Sequence, residues 1–334
     1  MSSTFIIAEI GQAHEGSLGI LHSYIDALST TGVDAIKFQI HIAEAESSQY
    51  EPFRIKFSYE DDTRYEYWRR MEFTLEQWKE IKQHCDEVGL EFISSPFSNM
   101  AVDWLEEIGT EKYKIGSGEV SNFLMLEKIA NTGKDIILSS GMSSFIELDE
   151  TVEFLKQFSN QLSILQCTTK YPTSAEDIGL NVIGELQLRY GLPIGFSDHS
   201  STIYPSLAAI SLGAKILESH AVSDKNMFGP DSKSSLTIDE IKSLVEGVRF
   251  IEKSLLNRVD KSDNSSFVEL KNIFEKSLAI NKDKEIGDTI VFDDLESKKP
   301  YGYGIPAREY REVIGKKLTK KLYKWDFIRE DYYE

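Results

Sequence analysis

Eight short apolar, strand-like runs alternating with helix-like segments place the strongest constraint on what this chain can fold into. The runs are Phe5-Ile6-Ile7-Ala8-Glu9, Ala35-Ile36-Lys37-Phe38-Gln39, Glu91-Phe92-Ile93-Ser94-Ser95 and Tyr113-Lys114-Ile115. They continue with Ile136-Ile137-Leu138-Ser139, Ser163-Ile164-Leu165-Gln166, Ile194-Gly195-Phe196-Ser197 and Lys215-Ile216-Leu217-Glu218. Between them lie amphipathic stretches such as Leu75 to Val88 and Ile146 to Phe158, with apolar residues three and four apart. This alternation predicts an α/β fold, a parallel sheet closed into a (β/α)8 TIM barrel. An open doubly wound sheet is the rival. Against it, no Gly-x-Gly-x-x-Gly follows the first strand, and polar residues close all eight strands instead of one crevice.

The 334 residues exceed one small domain and suit a barrel with an appendage. The barrel is expected over 1–256, ending with a helix from Ile238 to Leu255, followed by a linker at 257–272. The linker opens with the polar stretch Asn257 to Ser266 and leads through a helix. Residues 273–334 read as a small β-rich domain, with β-like pieces at Ser277 to Ile280 and Thr289 to Phe292 and a Gly- and Tyr-rich loop, Lys298 to Gly304. So small a domain has a thin core and is expected to lean on a neighbour. Cys85 and Cys167 form no disulfide or zinc-knuckle pattern. With no signal-peptide pattern at the amino terminus and no run of ~20 apolar residues, a cytoplasmic protein without a membrane partner is expected. The net charge of −18 repels a phosphate backbone, which argues against nucleic acid as a partner.

The stretch from Ile40 to Glu72 is too long for an ordinary barrel loop. It carries Arg54, Lys56, Tyr59, Arg64, Tyr65, Tyr67, Trp68, Arg69 and Arg70. It reads either as a lid or specificity element over the catalytic face or as a solvated insertion.

Strand ends are where barrel enzymes keep their chemistry. His199, in Gly195-Phe196-Ser197-Asp198-His199-Ser200, and His220, in Ile216-Leu217-Glu218-Ser219-His220, come from the last two strands and could share one divalent metal. Lys37, Lys114, Ser117, Ser139 and Ser197 fall at or just beyond strand ends. Two ammonium groups among hydroxyls suit a phosphate or carboxylate. Schiff-base chemistry is the alternative, but such a lysine wants desolvation to lower its pKa. Glu9, Glu15 and Glu119 lie near the same mouth; each could move a proton or partner a buried lysine. His14 reads as a hydrogen-bond donor, and Asp231, in Gly229-Pro230-Asp231, as a substrate or water contact.

Together these segments resemble the sialic acid synthase family, which condenses phosphoenolpyruvate with an N-acylated hexose. The resemblance rests on Ile7-Ala8-Glu9-Ile10-Gly11 with His14-Glu15-Gly16-Ser17, Ile36-Lys37-Phe38-Gln39, Ser95-Pro96-Phe97 and Tyr113-Lys114-Ile115-Gly116-Ser117-Gly118-Glu119. It extends through Leu138-Ser139-Ser140-Gly141-Met142, Gln166 to Pro172, Phe196 to Ser200 and Gly229-Pro230-Asp231. It implies His199 and His220 as metal ligands, usually for Mn2+, with Mg2+ or Co2+ possible. It implies phosphoenolpyruvate held by Lys37, Lys114, Ser117, Ser139 and Ser197, and Gln39 at the pocket floor. Glu15, Tyr171 and Asp231 would contact the sugar, N-acetylmannosamine or a related 2-acylamino hexose, and Glu119 would activate water or stabilise charge. The product would be a nonulosonic acid for surface glycans. The small domain resembles the family's antifreeze-like (SAF) domain, which implies a domain-swapped homodimer. Two departures stand out. Glu218-Ser219-His220-Ala221-Val222 replaces the usual Glu-Lys-His-Phe-Thr, and Lys298-Lys299-Pro300-Tyr301 puts Lys299 where relatives extend an arginine onto the N-acyl group. An ammonium does not reproduce a guanidinium's planar fork, so the acceptor is open. A Schiff-base aldolase on the same barrel and a non-catalytic sugar-binding relative remain as alternatives.

Overall fold

The computed structural model describes residues 3–334. Eight parallel strands run β1 (Phe5–Glu9), β2 (Ala35–Ile40), β3 (Glu91–Pro96), β4 (Lys112–Ile115), β5 (Asp135–Ser139), β6 (Leu162–Cys167), β7 (Ile194–Asp198) and β8 (Ile216–Val222). Each pairs with the next, and β1 pairs with β8 with Glu9 opposite His220. That last pairing closes the sheet and removes the open-sheet rival. A two-residue β9 (Leu236–Thr237) adds to the end of β8.

The helices are α1 (Leu18–Ser29), α2 (Ala43–Glu46), α3 (Arg64–Met71), α4 (Leu75–Glu87), α5 (Asn99–Ile108), α6 (Phe123–Ala130), α7 (Phe145–Leu155), α8 (Leu180–Tyr190), α9 (Tyr204–Ser211) and α10 (Ile238–Leu256). Local chemistry fixes where they begin. Thr74 with Gln77, Ser144 with Glu147 and Thr237 with Glu240 form reciprocal capping boxes at α4, α7 and α10. The helices that flank the barrel lay an apolar stripe on the sheet; α4, for example, buries Trp78, Ile81 and Cys85.

Alternation along each strand decides what faces the barrel axis. Ile7, Ala35, Ile93, Ile137, Leu165 and Ile216 form a separate apolar cluster inside the barrel. Two residues further along the same faces come Glu9, Lys37, Ser95, Ser139, Cys167 and Glu218. The apolar plug therefore lies directly beneath a polar layer. Gly195 belongs to the plug: a Cβ there would stand 2.4 Å from the Leu165 side chain and 2.5 Å from the Ile216 carbonyl oxygen.

The long stretch after β2 folds as α2 and α3 with a hydrophobic cluster of its own, in which Ala43, Tyr67, Trp68 and Met71 are buried and Phe53, Phe57 and Tyr65 pack against them. Arg70 ties it down, donating to Asp61 at 3.0 Å and to the Glu15 carboxylate at 3.2 Å. It is an ordered element, not a solvated insertion.

The first compact unit ends at Asn257, and the second is Arg258–Glu334. The stretch expected as linker, 257–272, contains a 3-10 turn at Ser265–Phe267 and the start of α11 (Val268–Phe274). Its second half is therefore helical. In this unit β10 (Ser277–Ile280) pairs antiparallel with β11 (Leu295–Lys298), and a short α12 (Tyr310–Val313) follows. The piece expected as strand at Thr289 to Phe292 is instead a single bridge from Thr289 to Lys317 running into a 3-10 turn at Phe292–Asp294. There Asp294 turns the chain, accepting from the Val291 amide at 3.1 Å. The core is small: Leu278, Ile280, Ile290, Ile305, Val313, Leu318, Leu322 and Ile328.

Gly195→Ala tests the plug. The added methyl has no free volume, so the variant should lose about 1–3 kcal/mol of stability. Denaturant titration of the intact chain should show this loss; a midpoint equal to the parent protein's would mean that the barrel interior is not packed as described.

Candidate active site

The polar layer at the carboxyl ends of the strands lines a cavity of about 380 Å3. Its floor is a buried network of four charged groups. Lys37 is ion-paired with Glu9 and stands 3.7 Å from Glu218, while Lys114 donates to Glu218 at 2.9 Å. Ser197 also donates to Glu218, at 3.2 Å. Burial alone would raise the Glu9 carboxyl, but Lys37, His220 and Lys114 outweigh it and hold it well below the usual range. Burial would lower Lys37 in the same way, yet Glu218 and Glu9 together raise it, so it stays a cation. The lysines are thus shared with two carboxylates and are not a bare anion cradle.

Around this floor lie Ser117, whose hydroxyl accepts from the Gly141 amide at 3.1 Å, and buried Ser139. Gly141 must lack a side chain, since a Cβ would come within 2.3 Å of the Thr169 hydroxyl and 2.6 Å of that of Ser117. Gln39 donates to Glu9 and accepts from Gln12 at 2.9 Å. Glu119 donates nothing and accepts from Asn122 at 2.7 Å; burial raises its carboxyl toward the range where it can exchange a proton.

His199 and His220 meet at one side, with ring centres 5.3 Å apart. Two imidazoles sharing one ion through bonds of ~2.1 Å would hold their centres about 5 Å apart, so the pair fits a common divalent metal. The His199 Nδ1 lies 3.0 Å from the Thr168 carbonyl and donates to it, which leaves Nε2 free as a ligand. The buried Nδ1 of His220 has no partner. Among the described residues no group of three or more His, Cys, Asp or Glu side chains is arranged to hold a metal. An ion here would draw its remaining ligands from water and substrate. Tyr171 stacks 4.2 Å from the His199 ring.

The segment carrying α2 and α3 forms the opposite wall. Arg54 stands 4.2 Å over the Tyr171 ring and donates to Asp231 at 3.1 Å, fastening this wall to the loop after β8. Trp68 stacks on His41 at 3.8 Å, and Phe97 covers the other face of the same imidazole at 4.5 Å. Arg64 lies 4.1 Å over Trp68 and 3.5 Å from Glu51.

Of the residues singled out from the sequence, Lys37, Gln39, Lys114, Ser117, Glu119, Ser139, Tyr171, Ser197, His199, His220 and Asp231 all line this one cavity. Glu15 is not among its lining side chains; its carboxylate faces Arg70, and burial pushes it up to about 7. Lys299 belongs to the second unit, where its ammonium sits 4.8 Å over Phe274. His14, expected as a donor, accepts from the Gly16 amide at 3.1 Å, and burial holds its imidazole down at about 3. Sequence reasoning did not single out Glu218, Cys167, Gln12, His41 or Glu51 as site residues, whereas Arg54, Arg64 and Trp68 belong to the long stretch after β2 that was read as a lid or specificity element or as a solvated insertion. Strand parity marks Glu218, since it lies two residues from His220 on one face. The length and the charged, aromatic composition of that stretch mark the wall, but not which of its side chains reach the cavity.

A profile of the NeuB family matches residues 24–260. The chain is 35% identical over 336 residues to N,N'-diacetyllegionaminic acid synthase of Campylobacter jejuni, covering 99% of this chain and 100% of that protein. It is 34% identical over 331 residues to N-acetylneuraminate-9-phosphate synthase of Homo sapiens, covering 98% and 92%. Among solved structures, the N-acetylneuraminic acid (sialic acid) synthetase of Leptospira borgpetersenii superposes with a TM-score of 0.70 at 30% identity, covering 80% of this chain and 90% of that one. The chain therefore belongs to the NeuB family, whose named relatives here are synthases of sialic and related nonulosonic acids.

Proposed function

We propose that this protein condenses phosphoenolpyruvate with an N-acylated hexose to give a nonulosonic acid and phosphate. The observation that carries the reading is the single polar cavity into which eleven of the expected site residues converge. Lys37 and Lys114, already fixed by Glu9 and Glu218, would hold the phosphate and carboxylate, with hydroxyls from Ser117, Ser139 and Ser197 completing the shell. The C3 carbon of phosphoenolpyruvate attacks the acceptor's aldehyde carbon. Water then adds at C2, and phosphate leaves by C–O cleavage. Glu119 is placed to move the proton of that water, and Tyr171 and Asp231 to orient the sugar. A divalent ion on His199 and His220, Mn2+ by family resemblance, would supply Lewis-acid polarisation of the aldehyde and +2 of charge to a floor whose own four charges cancel.

The Schiff-base alternative needs a neutral amine. Lys37 is held as a cation by two carboxylates, and Lys114 is engaged by Glu218 at 2.9 Å. Both features favour the condensation reading.

The rim selects the acceptor. Beyond the floor quartet the cavity lining holds Arg54 and Arg64 against Glu46, Glu51, Glu119 and Asp231; Arg54 is paired with Asp231 and Arg64 with Glu51, while Glu46 is bonded to His41. A phosphate on the sugar would meet net negative charge, so we assign an unphosphorylated acceptor. The second unit is proposed as a SAF-type domain that completes the site of a partner subunit in a homodimer. Its α11 and the turn before it leave Phe267, Val268, Leu270, Ile273 and Phe274 exposed within the single chain, as a surface covered on assembly would.

Chelation should abolish turnover and Mn2+ should restore it, and His199→Ala or His220→Ala should each block restoration at ordinary metal concentrations. Full activity of the chelated enzyme would overturn the metal's role. In product analysis by mass spectrometry, a 2-acylamino hexose should be turned over at least ten-fold more efficiently than its 6-phosphate; the reverse preference would refute the rim argument. Lys299→Ala should raise KM for the sugar roughly ten- to a hundred-fold, the worth of one charged hydrogen bond, and leave KM for phosphoenolpyruvate nearly unchanged. Equal effects on both would remove Lys299 from the acceptor pocket.

A further inference from the structure

Outside the cavity, the described residues hold one other place where two imidazoles meet. His22 on α1 and His84 on α4 approach with Nδ1 atoms 2.8 Å apart and ring centres 5.0 Å apart. Behind His84, its Nε2 lies 3.0 Å from the Asp26 carboxylate and donates to it. Packing of the helices does not require this pair. Leu21, Ile25 and Leu28 of α1 and Trp78, Ile81 and Cys85 of α4 already fill the apolar faces, and both imidazoles are only half-buried.

We propose that His22 and His84 form a surface site for a late transition-metal ion such as Zn2+, distinct from the cavity. Two nitrogens bound to one tetrahedral ion at ~2.1 Å stand about 3.3 Å apart, so admitting the ion needs the Nδ1 atoms to separate by only about half an ångström. With the His84 proton held on Nε2, the proton between the two Nδ1 atoms is that of neutral His22; it moves to His22 Nε2 as the ion takes both Nδ1 atoms, so no net proton is released. Asp26 plays the part of the carboxylate that fixes a ligating imidazole's tautomer and orientation, because it holds the proton on Nε2 and leaves Nδ1 as the ligand. Water fills the remaining positions. An all-imidazole pair of this kind prefers Cu2+, Ni2+ or Zn2+ over Mn2+. An ion at the surface site would also cross-link two helices whose connection runs through the whole wall segment.

The test is Zn2+ titration of the metal-stripped full-length protein by calorimetry, with turnover measured separately in the presence of Mn2+. His22→Ala and His84→Ala should each bind one equivalent of Zn2+ fewer than the parent, with circular dichroism and turnover unchanged. Asp26→Asn should keep the stoichiometry and weaken that site roughly ten- to a hundred-fold. His84→Gln, which keeps a polar side chain at the seam, repeats the test should the alanine variant fold poorly. Parent-like stoichiometry in the His22 and His84 variants overturns the site, and parent-like affinity in the Asp26 variant overturns its carboxylate backing. If the cavity binds no metal, the parent takes up a single equivalent that the His22 variant lacks. Failure of the cavity's metal is therefore read separately from failure of this site.

Discussion

The floor quartet of Lys37, Glu9, Lys114 and Glu218 is the constraint on which the site depends. Four charges sit where side chains are at most 3% exposed. Taking each out of water costs several kcal/mol, and mutual attraction repays this only when every partner is in place. Such a network is a poor way to stabilise a barrel that already has an apolar plug beneath it. It is an efficient way to hold two lysine side chains in fixed positions beneath the cavity. The unpartnered atoms tell the same story. Glu218 Oε2, Ser95 Oγ, Thr169 Oγ1 and His220 Nδ1 are buried without a hydrogen-bond partner, and all four residues line the cavity. Orphans of this kind are expensive to maintain unless a polar ligand supplies the missing bonds.

The wall after β2 solves a different problem. A barrel mouth lined by charges is open to water, and water weakens every interaction within it. The wall covers part of that mouth with aromatic surface: His41 is sandwiched between Trp68 and Phe97, and Arg64 caps the stack. Its attachment is polar and peripheral, through Arg54 to Asp231 and Arg70 to Glu15 and Asp61. The raised carboxyl of Glu15 follows from this arrangement, since burial under the wall costs more than one guanidinium returns. Glu15 is thus best understood as part of the fastening.

Much of the barrel was legible because its information is local. Each strand is a short apolar run, the longer helices show an amphipathic stripe, and parity puts Lys37, Ser139 and Ser197 on the face of Ala35, Ile137 and Gly195. What was illegible is non-local. Glu218 reads as an ordinary strand residue until Lys114 is seen to reach it across the barrel, 104 positions away in sequence. His41 and Trp68 become neighbours only because the wall folds back. In the second unit, Thr289 to Phe292 has a strand's composition, but Asp294 captures the Val291 amide and turns the chain before a ladder can form. Side-chain competition for a backbone donor is invisible to hydropathy.

Lys299 shows how composition and geometry divide the question of specificity. Within its own unit the ammonium rests over Phe274, an aromatic that is itself exposed. A lysine held this way is weakly anchored, because an exposed cation–π contact contributes only about 0.5–1 kcal/mol. A guanidinium at the same position would offer two parallel donors to a carbonyl and demand a fixed orientation. The ammonium offers one strong donor and tolerates several. Under the proposed function, an ammonium in place of a guanidinium would be the less exacting contact for the sugar's acyl group.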